Sequence, residues 1–307
     1  MSEWRTIKVD RGDHGVRVDR VVLRHLRDEK GVSRNRIQNW VAGGQVLING
    51  TPASRASWRV QAGDDLRVRP SGLIAREKPR AESMALELLY EDDDLIAVNK
   101  PAGLVVHPSY KNAAGTLING VLALARAWPT GSVPALVGRL DKMTSGVVLI
   151  TKRAEIHGAL QRASAAHLIE KDYLAIVFGK PSPVRGTINL ALDRDPWDRR
   201  RVTVTDRGGQ PSITKYQRLA SSGGYSLVQC RLITGRTHQI RVHLAAKGWP
   251  IVGDATYGNK DSVAFPRQAL HAWRVVMRQP RTGRELTIEA PLPPDMHALA
   301  AALGLAP

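Results

Sequence analysis

The sequence predicts an α+β fold: a large domain built on a largely antiparallel sheet, preceded by a small helix–helix–hairpin unit. Three observations carry this. Segments of strand character outnumber helical ones and do not alternate with them regularly, which disfavours a doubly wound parallel sheet. The chain has 307 residues, 43% of them hydrophobic, which supplies a real core and room for two domains. No repeat of solenoid period and no low-complexity tract interrupts the pattern.

The elements follow in order. Val18, Val21, Val22 and Leu26 have helical spacing. Ser33 is an N-cap for the helix RNRIQNWVAGG, with Ile37, Trp40 and Val41 on one face and Gly43-Gly44 as its stop. Val46–Ile48 is a strand, Asn49-Gly50 a turn, and a second extended piece lies near Ser57–Val60. Gly63-Asp64-Asp65 then turns the chain into Leu66–Val68. Residues 71–84, rich in Pro, Ser, Gly and charge, read as a linker between a domain at 14–70 and one at 85–307.

Past the linker, Leu86–Tyr90 and Leu95–Asn99 read as strands around an acidic turn. Thr116 caps a helix to Ala127, Val147–Thr151 is a short apolar strand, and Glu155–Ala163 is a helix. Tyr173–Phe178, Ile213–Leu219 and Ser226–Ile233 are strands, and Thr237–Lys247 is a helix closed by Gly248. Leu270–Met277 and Glu285–Ala290 pair around Thr282-Gly283.

Charge bounds the partners. The formal net charge is +17, which predicts attraction to polyanions, nucleic acid first. Residues 1–80 hold 17 Lys/Arg against 9 Asp/Glu, nearly half the excess in a quarter of the chain. Cys230 is the single cysteine, so no intrachain disulfide and no Cys-based zinc finger is available. The opening stretch MSEWRTIKVDRGD has no apolar run, and no apolar run approaches membrane-spanning length. The expectation is a cytoplasmic protein with a polyanionic partner and no membrane span, and a monomer because no extra interface segment is evident.

Motifs narrow the chemistry. GxxxxGKS/T, HExxH and a strand-following GxGxxG are absent, so neither a cofactor nor a metal is signalled. His238 and His243 are five apart, on different helix faces, which disfavours a metal pair. In VGRLDKMTSGVVLITK, Asp141 is flanked by Arg139 and Lys142 ahead of a buried strand. An arginine keeps such a carboxylate ionised while it is partly desolvated, available as nucleophile or base; a structural ion pair has the same signature. In LITGRTHQIRVHLAAKG, Gly235-Arg236-Thr237 turns into a helix whose N-terminus beside arginine suits an anion. A basic amphipathic helix on the surface explains that stretch equally well.

Two resemblances organise these residues. VRVDRVV, SRNRIQNWV, GGQVLING and GDDLRV, in that order, resemble the S4 RNA-binding domain. That resemblance implies phosphate contacts from Arg34 and Arg36 on the second helix. AVNKPAGLVVHPS, GTLING, RLDKMTSG, EKDYLAIVFG, TGRTHQIRVHLAAKGWPIVGDATYG, RQALHAW and APLP resemble the bacterial RluA-type pseudouridine synthase family. The combination with an S4 domain looks like that family's large-subunit ribosomal RNA enzymes. The resemblance implies a catalytic aspartate at Asp141 and, at Tyr173, a tyrosine that packs on the target base and acts in proton transfer. It also implies that Arg241 pairs with the carboxylate and that Arg139 helps hold the target flipped out; Arg236, five residues before Arg241 at the helix start, is a candidate for RNA contact from its own position. Gly138 stands where the family usually has histidine, and Ala255 where it commonly has proline. The implied reaction, uridine to pseudouridine in 23S rRNA, is an isomerisation without cofactor. The alternatives are another RNA substrate such as tRNA, a catalytically silent rRNA-binding or ribosome-assembly factor, or a glycosidase-like enzyme with paired carboxylates.

Overall fold

The structure, a computed structural model, describes residues 4–27, 29, 32–70, 79–108, 114–198, 200–259 and 262–305. It comprises two compact units, Met1–Lys78 and Pro79–Pro307. Most of the expected linker, residues 71–78, lies outside the described residues.

The first unit holds β1 (Arg5–Lys8), α1 (Val18–His25), α2 (Arg34–Ala42), β2 (Val46–Ile48), β3 (Thr51–Pro52) and β4 (Asp65–Val68). Its antiparallel sheet runs β1-β4-β2-β3. Val18, Val21 and Val22 of α1 and Ile37, Trp40 and Val41 of α2 are buried with Val46, Leu66 and Val68 in one apolar cluster. The Ser33 hydroxyl accepts from the Arg36 N–H at 3.3 Å, as its N-cap position predicts. Asn49 and Gly50 both have positive φ, the backbone of a tight hairpin turn between β2 and β3. The hairpin partner of β2 is therefore Thr51–Pro52, with β4 on its other side. The segment expected to be extended near Ser57–Val60 makes only one isolated bridge, Arg59 to Arg17. β1 was not anticipated, and the sheet begins ahead of residue 14.

The second unit holds β5 (Glu87–Glu91), β6 (Leu95–Lys100), α3 (Leu117–Leu124), β7 (Ala135–Leu136), β8 (Ser145–Thr151), α4 (Ala154–Ala165) and β9 (Glu170–Phe178). It continues with β10 (Arg185–Asn189), β11 (Leu192–Arg194), β12 (Val202–Val204), β13 (Ile213–Ser222), β14 (Tyr225–Leu232) and α5 (Gln239–Ala246). β15 (Leu270–Arg278), β16 (Glu285–Glu289) and α6 (Pro294–Ala302) complete it. Among the described residues the main sheet runs β10-β13-β14-β9-β15-β8-β6-β5, with β16 on β15 and β7 on β8. β11 and β12 form a separate two-stranded ribbon. Residues 79–84 are tied to α3, since Arg80 O accepts from the Asn119 amide and Glu82 accepts from Gly115 N.

Burial on both faces explains the apolar run of β8. Val147 and Leu149 join Leu95, Ala97 and the α4 residues Ile156 and Leu160. Val148 and Ile150 join Ile96, Val98 and the α3 residues Leu117 and Val121 on the other face. A strand covered on both sides reads as a continuous hydrophobic stretch.

The sheet is antiparallel except where β8 meets β15, with His271 opposite Ser145 and Ala272 opposite Gly146. At that junction the chain needs glycine. Gly146 has φ +109°, and a Cβ there would lie 2.1 Å from the Ala272 carbonyl oxygen. The next strand over places Tyr173 of β9 opposite Ala272. The junction therefore aligns the turn before β8 with the middle of β9. Replacing Gly146 with Ala is expected to destabilise the fold by about 2–4 kcal/mol, from strain and overpacking. A melting temperature lower by about 5 °C or more in thermal unfolding is the check; a parental value would contradict it.

Candidate active site

Asp141 lies in the turn that feeds β8, and two buried cations fix that turn through its backbone. Lys100 is fully buried at the end of β6. Its ammonium donates to the carbonyls of Pro101, Leu104 and Lys142 at 2.8, 2.9 and 3.1 Å. Burial pushes Lys100 down to about 7; Arg267 adds to the shift and Asp141 opposes it. Arg267 is bound by both oxygens of Asp295 on α6, at 2.6 and 2.9 Å, and donates to the Met143 carbonyl at 3.3 Å.

Arg241 arrives from α5. The surface-helix alternative for this stretch fails, because residues 239–244 are all buried. Each polar side chain among them has partners. Gln239 bonds Thr234, Arg236 N, Ile213 O and Thr214. His243 bonds the Thr214 hydroxyl and the Leu190 carbonyl, a structural role. The helix begins at Gln239, two residues later than expected, with His238 in the left-handed region ahead of it.

Arg241 joins two carboxylates. Its Nε and Nη2 donate to Asp254 at 2.7 and 2.8 Å, and its Nη1 donates to Oδ2 of Asp141 at 3.0 Å. Burial opposes the charge on Arg241, but Asp254 and Asp141 more than offset it and raise the arginine above its ordinary value. For Asp254, burial pushes the carboxyl up. Arg241 and the backbone N–H groups of Thr256 and Tyr257 outweigh that and hold it below the usual carboxylate range. Among the described residues, no hydrogen bond reaches Oδ1 of Asp141.

Tyr173 is buried on β9. Burial, reinforced by the charge of Asp141, pushes its hydroxyl far above the ordinary tyrosine range, so it stays a neutral phenol. Tyr173, Asp141 and Arg241 line one cavity of about 790 Å³, with Arg139, Arg236 and Lys171. Arg139 and Arg236 are exposed at the cavity. A Cβ on Gly138 would meet Lys171 Nζ at 4.0 Å, so a lysine ammonium borders the space beside that glycine.

Arg34 and Arg36 belong to the other unit. Arg34 pairs through Nε with buried Asp19 at 3.0 Å, beside Arg17 on the same carboxylate. Arg36 lies over the Trp40 ring, 6.0 Å from its centroid. Five of the seven residues singled out in the sequence thus meet at one cavity.

Sequence reasoning passed over Asp254, Lys100, His238 and Tyr257 as parts of the site. Asp254 and Tyr257 fall inside the quoted segment GDATYG, and Lys100 inside AVNKPAG; the motifs flagged them without giving them a task. Gly253 explains the first motif's opening: its φ is +71°, and a Cβ would lie 2.2 Å from the Arg267 carbonyl. Cys230 is buried, and burial raises its thiol to about 12, with Asp172 adding to the shift, so it supplies no nucleophile. Among the described residues, no cluster of three His, Cys, Asp or Glu is placed to hold a metal, and no helix is long and apolar enough to cross a membrane.

Comparison with known proteins gives the site a context. Residues 94–246 match the RNA pseudouridylate synthase family and residues 16–66 the S4 domain. An uncharacterized RNA pseudouridine synthase of Bacillus subtilis (strain 168) is 40% identical over 277 residues, covering 88% of this chain and 89% of that protein. A ribosomal large subunit pseudouridine synthase D of Neisseria meningitidis serogroup A is 38% identical over 304 residues, covering 95% of this chain and 79% of that one. The solved structure of human RNA pseudouridylate synthase domain containing 4 shares the fold, with a TM-score of 0.59 at 24% identity. The match covers 71% of this chain and 93% of that chain.

The Asp254–Arg241 pair has a pH signature. The folded carboxyl titrates below the ordinary value of 3.8, so its stabilisation is complete above that value and is lost as pH falls through the folded pKa. Asp254→Asn is therefore expected to lower the urea midpoint at pH 7, and to lower it by less at a pH below 3.8, where the parent loses this stabilisation. An equal deficit at both pH values would contradict the assignment.

Proposed function

The chain belongs to the RNA pseudouridylate synthase family and carries an S4 domain, and from that premise we propose that it isomerises uridines of large-subunit ribosomal RNA to pseudouridine through Asp141. Relatives named ribosomal large subunit pseudouridine synthase D, alike over nearly the whole chain, support this substrate over tRNA. A cytoplasmic monomer working on ribosomal RNA or an assembling subunit completes the proposal.

The observation that carries it is the asymmetric hold on Asp141. Arg241 binds one oxygen and leaves the other without a hydrogen-bond partner among the described residues, in a cavity shared with a neutral phenol. The reaction breaks the N1–C1′ bond of uridine, turns the uracil, and joins C5 to C1′ as the C5 proton leaves. The free oxygen serves either route open to an aspartate: attack at C1′, or removal of the 2′ proton to form a glycal. No electron is gained or lost in either.

The target base must leave its stack to reach Asp141. Tyr173 offers a flat apolar face with its proton retained, which suits packing on uracil and disfavours a phenolate base. Arg139 and Arg236 are exposed at the cavity and suit phosphate contacts; Arg34 and Arg36 would add contacts from the S4 unit. The glycosidase-like alternative needs a second working carboxylate. Asp172 lines the cavity and is bound by Arg231 and Arg274; Asp254, behind Arg241, is bound by two guanidinium N–H groups and two backbone N–H groups. That leaves neither of them free to act as acid or base. Nothing in the site favours a silent factor.

Asp141→Asn is expected to abolish tritium release from C5-labelled uridine in 23S rRNA while RNA affinity by filter binding stays within about threefold, since the amide keeps the shape and Arg241 keeps Asp254. Turnover equal to the parent would remove Asp141 from the reaction.

A further inference from the structure

His238 stands in a wall between two cavities, and the chemistry above gives it no task. It lines the 790 Å³ cavity and a second of about 340 Å³ beside it; Asp141 and Arg241 line both as well. Its backbone is left-handed, φ 57° and ψ 16°. A residue with a Cβ persists there only where its surroundings over-determine it, and such positions cluster at functional sites.

The surroundings of the ring fix its proton. The Val202 N–H of β12 donates to the Tyr257 hydroxyl at 2.8 Å. His238 Nδ1 lies 3.0 Å from the same hydroxyl. Among the described residues the phenol has no other acceptor in reach, which favours its single hydrogen on Nδ1. A neutral imidazole that accepts at Nδ1 carries its proton on Nε2. Nε2 faces Oδ2 of Asp141 at 3.9 Å, the same oxygen that Arg241 holds at 3.0 Å.

The charged groups around the ring come from three elements. Asp141 lies on the turn before β8, Arg241 on α5, and Asp254 on the loop that also carries Tyr257. Burial, then Arg241, disfavour a second proton on His238; Asp141 and Asp254 favour it. The balance leaves the imidazole below its ordinary value of 6.5, so it is neutral at physiological pH.

We infer that His238 is a positioning residue for Asp141: Tyr257 fixes the imidazole as the Nε2–H tautomer, and that N–H secures Oδ2 beside Arg241 so that Oδ1 faces the target nucleotide. The inference rests on Asp141 being the reacting carboxylate. At 3.9 Å the contact is electrostatic and longer than a hydrogen bond. It closes when the nucleotide fills the cavity, as catalytic hydrogen bonds in substrate-free sites commonly do.

The test uses the full chain and two readouts. The first is the nitrogen-15 spectrum of the imidazoles. The parent is expected to show His238 as the Nε2–H tautomer, Tyr257→Phe to lose that preference, and Asp141→Asn to lower the pKa of His238 further. The second is single-turnover tritium release from a 23S rRNA transcript labelled at C5 of uridine. His238→Asn tolerates a left-handed backbone and keeps an amide near Tyr257, but places nothing at Nε2. It is expected to slow turnover about 10- to 100-fold with RNA affinity unchanged, the loss of one hydrogen bond to a charged group. His238→Gln, which reaches the Nε2 position, restores most of the rate, and Tyr257→Phe falls between. Unchanged melting temperatures separate these effects from misfolding. A parental rate in His238→Asn, or an Nδ1–H tautomer in the parent, overturns the inference. Full turnover by Asp141→Asn overturns the Asp141 assignment and the inference together, and the spectra distinguish a wrong tautomer from a wrong catalytic residue.

Discussion

One guanidinium, that of Arg241, holds the site together. It is almost wholly buried on α5, where a lone charge would be very costly, and two carboxylates of unequal standing neutralise it. Asp254 takes two of its N–H groups in a fork and is itself capped by backbone N–H groups, so it is fixed. Asp141 receives the third contact through one oxygen and keeps the other. Asp254 thus holds the arginine and the arginine holds Asp141. Removing either partner of the buried pair would strand a charge, at about 3–5 kcal/mol. The rest of the unit serves this arrangement. Gly146 lets β15 pass against β8, Lys100 and Arg267 fix the turn that carries Asp141, and β9 places Tyr173 across the cavity.

The net charge of +17 acquires a division from these contacts. The pairs in the second unit add nothing to that excess: Arg241, Arg267, Arg231 and Arg274 are matched by Asp254, Asp141, Asp295 and Asp172. In the first unit, Arg17 and Arg34 converge on Asp19. There burial pushes the carboxyl up, and the hydrogen bonds from Arg17, Arg34 and Gln38 bring it below its usual range. Arg139 and Arg236 remain exposed at the cavity.

Much of the fold was legible because local signals and burial agreed. Ser33 and Gly44 bound α2, Asn49-Gly50 turns the first hairpin, and Thr116 opens α3. The run VVLI marks a strand covered on both faces. The failures share a cause in long-range partners. β1 and β10 are short and half-exposed, and only pairing with β4 and β13 makes them strands. The stretch at Ser57–Val60 has β-like composition but finds a single bridge partner. Residues 239–244 looked amphipathic because a sequence does not show that Gln239, Arg241 and His243 each meet a buried partner. At the site, Asp141, Tyr173 and Arg241 were legible only through a family resemblance, since the contact between Asp141 and Arg241 spans 100 residues. Asp254 escaped because an aspartate in a glycine-rich turn has the signature of turn chemistry, and His238 because nothing in its neighbours announces a left-handed backbone.

The central claim is that Arg241, by holding Asp141, equips this chain to make pseudouridine in large-subunit ribosomal RNA. Pseudouridine mapping of total ribosomal RNA from cells lacking the chain, complemented with the parent or with Arg241→Lys, tests it most directly. The account predicts that specific 23S rRNA pseudouridines vanish without the chain, return with the parent, and stay absent with Arg241→Lys, whose single ammonium does not reproduce the guanidinium's contacts to both carboxylates. A 23S rRNA map that is unchanged by loss of the chain, or fully restored by Arg241→Lys, would contradict it.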